Sequence, residues 1–274
     1  MMRIVLPSSA HLAHQLHARI VDIVPFPDGE HRIRVPPSVK GKRVQLIGNT
    51  GPSPAALLDL LFTCATLREL GARVELIIPY FAYARQDNPH GNEAAAARAV
   101  CGMIKKIRPH EITVVSPHSE RIRRWLGCRR IDALSALIAA LPSAIKKDAI
   151  IIAPDDGAAT MATIAARMIN TSAVVLRKKR VSPTRVVESP IRRSLRGKNA
   201  IIVDDIISTG KTIETAARLA RRAGAHAVYG VVVHNAAGER LAPFMDKSAL
   251  HRLFVTDSLP CVHAPRTACV RIPL

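Results

Sequence analysis

Two α/β domains of similar build, each a mainly parallel sheet flanked by helices, are what this sequence predicts. Three observations carry that expectation. Short apolar runs alternate with longer helical stretches throughout the chain, the pattern of a parallel sheet covered by helices. The alternation comes in two series that break near Pro142-Ser143, which sets the expected domains at 1–143 and 144–274. The run Ile201-Ile202-Val203 leads into Asp204-Asp205 and then a small, hydroxyl-rich turn before another helix. That is the look of a buried strand whose carboxyl end carries a ligand site.

In the first series, Arg3–Leu6 reads as a strand, and Ser8 or Ser9 is expected to cap a helix through about Arg19. Val44–Gly48 is a strand, followed by a Pro/Gly turn and a helix over about Pro54–Leu70. Arg73–Ile78 is the next strand, stopped by Pro79. A helix follows over Asn92–Ile107, then a strand over Glu111–Ser116. The second series holds a strand at Ala149–Ala153, a helix at Gly157–Ile169 and a strand at Ala173–Leu176. Asn199–Val203 is its central strand, with a helix over Ile213–Ala223 and a strand at Ala227–Val233. Leu253–Thr256 and Val270–Ile272 look like closing strands.

Hydrophobic residues make up 48% of the 274 positions but aromatics only 3%, so the core must be built from Ala, Val, Ile and Leu. There is no apolar run of membrane-spanning length and no signal-peptide pattern, so a soluble, cytoplasmic protein without membrane partners is expected. Cys64, Cys101, Cys128, Cys261 and Cys269 are odd in number and scattered, with no Cys-x-x-Cys, which argues against a disulfide framework or zinc site. A net charge of +19 calls for anionic ligands. Because the few aromatics do not interleave with the basic clusters, phosphorylated metabolites fit better than specific nucleic-acid recognition.

The segment Asp204 to Thr212 carries the most chemistry. Ser208, Thr209, Gly210, Lys211 and Thr212 put hydroxyls and backbone N–H groups at a helix amino end, an arrangement that holds a phosphate. Asp204 and Asp205 can accept from sugar hydroxyls or hold a cation beside it. A nucleotide P-loop would need a glycine where Asp205 stands, so a phosphorylated sugar is the better match. A plain strand–turn–helix with a solvated Asp pair is the bland alternative.

Four further clusters lie near expected strand ends, and a fifth stands apart at residues 26–30. Tyr80-Phe81-Ala82-Tyr83-Ala84-Arg85-Gln86-Asp87 combines a guanidinium, an amide and a carboxylate, which suits phosphate oxygens or an internal ion pair. Ser116-Pro117-His118-Ser119-Glu120 offers a histidine that is either a ligand or an ordinary polar group. In Pro154-Asp155-Asp156-Gly157, Asp156 is placed to cap the next helix. Arg177-Lys178-Lys179-Arg180 is, on composition alone, a solvated basic loop. Phe26-Pro27-Asp28-Gly29-Glu30 reads as a turn.

Taken together, these motifs resemble the ribose-phosphate pyrophosphokinase family, and Val203–Thr212 resembles the phosphoribosyl-pyrophosphate loop of type I phosphoribosyltransferase folds. The match runs over about residues 1–260, and its Pro-Tyr-x-x-Tyr-Ala-Arg-Gln-Asp signature is intact at 79–87. The resemblance implies two phosphoribosyltransferase-type domains and transfer of a diphosphoryl group from ATP to ribose 5-phosphate, with Mg2+. It implies that Arg85, Gln86 and Asp87 contact ATP, that His118 contacts the metal–ATP complex, and that Asp155 sits beside the ribose hydroxyls or the metal. Phe26, Asp28 and Glu30 would reach the adenine of a neighbouring subunit, so at least a dimer is implied. Lys178 and Arg180 would close over the ATP phosphates. Asp204, Asp205 and Ser208–Thr212 would hold ribose 5-phosphate. The continuation Ser182-Pro183-Thr184-Arg185-Val186 is similar to the shorter, archaeal-type members. Ser116, Ala158 and Lys211 depart from the family pattern, and a non-catalytic nucleotide-binding paralogue or a phosphoribosyltransferase remain open alternatives.

Overall fold

The computed structural model describes residues 1–180, 186–188 and 190–274, with backbone alone for 178–180 and 186–188. The chain divides into two compact units, Met1–Ile131 with Leu274 and Asp132–Pro273. The division falls ahead of the expected residue 143 because the helix Leu134–Ala140 packs its buried Leu134, Leu137 and Ile138 with the second unit's sheet and helices.

In unit 1 the elements are β1 (Met2–Val5), β2 (Arg19–Ile20), β3 (Asp22–Pro25), β4 (His31–Arg34), β5 (Arg43–Ile47) and α1 (Pro54–Glu69). They continue with β6 (Arg73–Ile78), α2 (Ala96–Lys106), β7 (Glu111–Val115), α3 (Glu120–Leu126) and β8 (Arg129–Ile131). Six strands form a parallel sheet in the order β2-β1-β5-β6-β7-β8. Alternate residues such as Val44, Leu46, Val74 and Leu76 are fully buried against Leu60, Leu67 and Ile104 of the helices. Each such side chain contributes roughly 1.5–3 kcal/mol by leaving water.

Unit 2 repeats the plan. Its elements are α4 (Leu134–Ala140), α5 (Ser143–Lys146), β9 (Ala149–Ala153), α6 (Ala159–Met168), β10 (Ala173–Val175), β11 (Lys178–Arg180) and β12 (Val186–Glu188). Then come β13 (Asn199–Ile207), α7 (Lys211–Arg222), β14 (Ala227–Asn235), α8 (Leu241–Lys247), β15 (Arg252–Thr256) and β16 (Thr267–Val270). The parallel order is β10-β9-β13-β14-β15-β16. Ala216, Ala217 and Ala220 of α7 are buried, so small side chains let the helix lie close on an aliphatic sheet.

Several local expectations shift for identifiable reasons. The helix expected from Ser8 to Arg19 is a short 3-10 stretch, Pro7–Leu12. The Ser8 hydroxyl is engaged with the Asn49 backbone, N at 3.2 Å and O at 3.3 Å, instead of capping a helix. The helix expected from Asn92 starts at Ala96, because the Glu93 carboxylate accepts the His90 N–H and keeps that stretch a turn. The turn expected at Phe26–Glu30 is present, and it joins two strands that were not expected, the hairpin β3–β4. The final strand lies at Thr267–Val270, and Ile272 N donates to the Asp257 side chain at 2.7 Å.

The cysteine expectation also needs correction. Cys261 and Cys269 are joined as a disulfide with Cα atoms 6.2 Å apart. Their separation of 8 residues has no sequence signature, and they meet because the chain after β15 folds back along edge strand β16. Cys64, Cys101 and Cys128 are free and buried, and burial pushes the Cys64 and Cys101 thiols up to about 12.

Candidate functional site

In unit 1 the polar turns gather at the carboxyl ends of β5, β6 and β7, where parallel sheets bind ligands. Asn49 and Thr50, at the end of β5, are fully buried. Asn49 Oδ1 accepts the Tyr80 N–H at 2.7 Å, and Thr50 Oγ1 accepts the Ala82 N–H at 2.7 Å. These two bonds aim the chain leaving β6. Tyr83 follows at φ 62°, in left-handed space that costs a non-glycine residue energy, and the next three residues form the 3-10 turn Ala84–Gln86. Arg85 and Gln86 are exposed, and the Asp87 carbonyl accepts from Arg121 Nη1 at 3.4 Å.

The neighbouring strand end is similarly constrained. Ser116 is buried at φ 38°, its N–H donating to Ile131 O at 2.8 Å, and Ser119 caps α3 through Ile122 N. His118 is exposed in the turn between them. The fold therefore brings Arg85, Gln86, Asp87 and His118 to the same edge of one sheet. Phe26, Asp28 and Glu30 are instead carried on the exposed tip of the β3–β4 hairpin, a sheet of its own. Asp28 Oδ1 accepts the Glu30 N–H at 3.1 Å, and the Arg32 guanidinium lies 5.8 Å from the Phe26 ring centre.

In unit 2, β13 runs beyond the expected Val203 through Ile207, so Asp204 and Asp205 lie within the strand, with Asp204 opposite Val232 of β14. Asp204 Oδ1 accepts the Asp205 N–H at 2.9 Å. Burial pushes the Asp204 carboxyl up to about 8, with Asp205 and Asp155 adding to the rise. Three carboxylates thus share one locality. Asp155, rather than Asp156, is the cap: its Oδ1 accepts from Gly157 N at 3.0 Å and Ala158 N at 3.4 Å.

Ser208 to Thr212 turn from β13 into α7. Gly210 is the residue before the helix, at φ 76°, and has no side chain to cap it, while the Lys211 N–H donates to Thr209 Oγ1 at 3.4 Å. The other N–H groups of the first turn, with the positive end of the helix dipole, suit an anion. A Cβ at position 210 would come within 2.4 Å of the Phe244 ring, so glycine is needed for space as well as for φ.

Comparison with known proteins decides the family. Residues 8–107 match the N-terminal domain of ribose phosphate pyrophosphokinase, and residues 129–254 match the phosphoribosyl transferase domain. A ribose-phosphate pyrophosphokinase from Saccharolobus solfataricus is 37% identical over 76% of this chain and 74% of its own. One from Pyrococcus furiosus is 34% identical over 88% of this chain and 86% of its own. The chain belongs to the ribose-phosphate pyrophosphokinase family. The crystal structure of phosphoribosylpyrophosphate synthetase from Mycobacterium smegmatis superposes with a TM-score of 0.86 at 26% identity, covering 98% of this chain and 94% of that one.

As a pyrophosphokinase family member, the chain has its basic run at β11, which pairs with β12 in an antiparallel ribbon. The side chains of Lys178 and Arg180, and residues 182–185, lie outside the described ones. Sequence reasoning passed over Asn49, Thr50 and Phe244. The signal for the first two was there: polar residues directly after an apolar strand in Gly48-Asn49-Thr50-Gly51. Phe244 carries none, since it reaches Gly210 only through packing of α8.

Among the described residues no three His, Cys, Asp or Glu side chains converge on a point able to hold a metal alone. The crowded carboxylates around Asp204 fit a cation that would relieve their repulsion. No helix among the described residues is long and apolar enough to cross a membrane.

Proposed function

We propose that the protein transfers the diphosphoryl group of ATP to the anomeric hydroxyl of ribose 5-phosphate, giving phosphoribosyl pyrophosphate and AMP. The observation that carries this is the acid pair Asp204-Asp205 running through a hydroxyl-rich turn into the amino end of α7. In that role the carboxylates accept from the ribose hydroxyls, and the N–H groups and hydroxyls of Ser208–Thr212 clasp the 5-phosphate. Arg85, Gln86, Asp87 and His118 bind ATP. The anomeric oxygen attacks the β-phosphorus in line and AMP leaves. Such transfers depend on positioning and charge neutralisation. Lys178 and Arg180 provide cationic charge for the triphosphate. Mg2+, held beside Asp155 and the substrate phosphates, would add neutralising charge when bound.

The functional form in this proposal is at least a dimer. Leu58 and Phe62, four residues apart on α1, are 49% and 53% exposed, an apolar stripe of the kind that self-association covers. The Phe26 tip would serve the adenine of the adjoining copy. An active monomer in light scattering would contradict this.

The test is direct. Pure, folded protein incubated with Mg2+, ATP and ribose 5-phosphate should release AMP and the pyrophosphorylated sugar. Stabilisation by both ligands without either product would instead favour a non-catalytic nucleotide-binding paralogue, for which Ser116, Ala158 and Lys211 are the departures to examine.

A further inference from the structure

The β3–β4 hairpin belongs to neither six-stranded sheet, and two strands alone are marginal in water. Helix α1 seats it. Ile23 and Ile33 pack on the unit 1 core, and His31 Nδ1 lies 2.7 Å from Asp59 Oδ1. The two side chains are 26% and 13% exposed, sheltered enough for the bond to count. His31 is the first residue of β4, immediately beyond the tip, so this bond stands where the tip's direction is set.

The tip is internally ordered. Phe26 N donates to Glu30 O at 2.7 Å, Gly29 N donates to Phe26 O at 3.0 Å, and Gly29 sits at φ 88°. With Arg32 over the Phe26 ring, residues 26–30 form an internally bonded tip directly before His31. Asp59 is on the helix that begins just after Asn49 and Thr50, which aim the Tyr80–Ala82 segment. The hairpin and the Arg85 turn are therefore both referred to the β5–α1 connection.

We propose that the His31–Asp59 pair is a latch that fixes the angle at which the hairpin presents Phe26, Asp28 and Glu30 to the purine ring of a nucleotide. His31 and Asp59 are positioning residues for ATP, with no part in holding the sugar. This rests on the assignment of the Phe26 tip to adenine above. A charge-assisted hydrogen bond holds a planar side chain in stacking geometry, and its loss lets the tip sample directions in which the ring cannot stack.

The experiment uses the full chain and compares wild type with His31→Leu, His31→Gln, Asp59→Asn, Phe26→Ala and the double variant His31→Leu/Phe26→Ala. ATP dissociation constants are measured by calorimetry alongside steady-state kinetics. His31→Leu should raise the ATP dissociation constant and KM about tenfold, as expected for one hydrogen bond to a carboxylate. The turnover number and the ribose 5-phosphate KM should stay within about twofold. His31→Gln, which can still donate to Asp59, should recover most of the loss. The double variant should bind no more weakly than Phe26→Ala, because the latch acts through Phe26. Wild-type ATP affinity in His31→Leu, full additivity in the double variant, or a joint fall of turnover and both KM values would overturn the latch. If His31→Leu does not fold, Asp59→Asn and His31→Gln read the same cycle. Wild-type protein that binds no ATP would instead defeat the proposed function. ATP binding weakened by Phe26→Ala but not by His31→Leu would remove the latch alone.

Discussion

Asn49 holds Tyr80 to the sheet edge: its Oδ1 accepts the Tyr80 N–H at 2.7 Å while its Nδ2 donates to Ser8 O at 3.1 Å. One fully buried amide thus ties the first strand's exit to the turn that carries Arg85. Asn49→Ala removes one hydrogen bond from each of these two backbone groups, at a cost of about 1–3 kcal/mol. Urea denaturation should show that loss, and the KM for ATP should rise more than that for ribose 5-phosphate. Unchanged stability would mean that water replaces the amide.

Lys178 offers a cleaner separation of roles. Its proposed work is to neutralise charge growing on the triphosphate as AMP departs. Lys178→Ala should therefore lower turnover on the order of a hundredfold or more. The KM for ribose 5-phosphate should stay within a few-fold. Asp205→Ala should do the reverse and weaken the sugar chiefly. Near-wild-type turnover in Lys178→Ala would return Arg177–Arg180 to a solvated loop.

Asp204 predicts a pH signature. Its carboxyl is raised from an ordinary 3.8 to about 8 by burial, Asp205 and Asp155. A raised carboxyl stabilises the folded chain fully below the unfolded value, and that contribution is lost as pH rises through the folded one. Asp204→Asn cannot ionise, so its melting temperature should exceed the wild type's by an amount that is smallest near pH 4. The gap should grow up to about pH 8 and then flatten. Thermal melts across that range without such a trend would contradict the carboxylate crowding.

Gly210→Ala meets two obstacles, a φ of 76° and a ring 2.4 Å from the new Cβ. The expected loss is on the order of 2–4 kcal/mol, part backbone and part overpacking. Adding Phe244→Leu should return the packing share and leave the backbone share. Calorimetric melting of the single and double variants measures both. Full recovery would show that φ is not a constraint at this turn.

How much of this was legible depended on the range of the interaction involved. The parallel strands could be read from runs such as Ala149–Ala153 and Arg73–Ile78, because an apolar period and a stopping Pro or Gly act within a few residues. Ser208–Thr212 could be read as a turn into a helix for the same reason, since Gly210 and the small hydroxyl residues act locally. Ser8 looked like a helix cap and was not, because Asn49, 41 residues on, takes its hydroxyl. The turn at Phe26–Glu30 was legible but its flanking strands were not, since they are stabilised by α1 and His31–Asp59 rather than by any local apolar alternation.

Residue types and their order along the chain were enough for the α/β class and the repeated plan. The crowding of Asp155 on Asp204, the Phe244 ring that limits position 210, the Cys261–Cys269 link and the placement of the Arg85 turn all required the folded chain. Each joins residues from separate elements, and their proximity arises from how helices and strands pack. Packing depends on side-chain shapes met across space, and a linear pattern carries no direct record of those meetings.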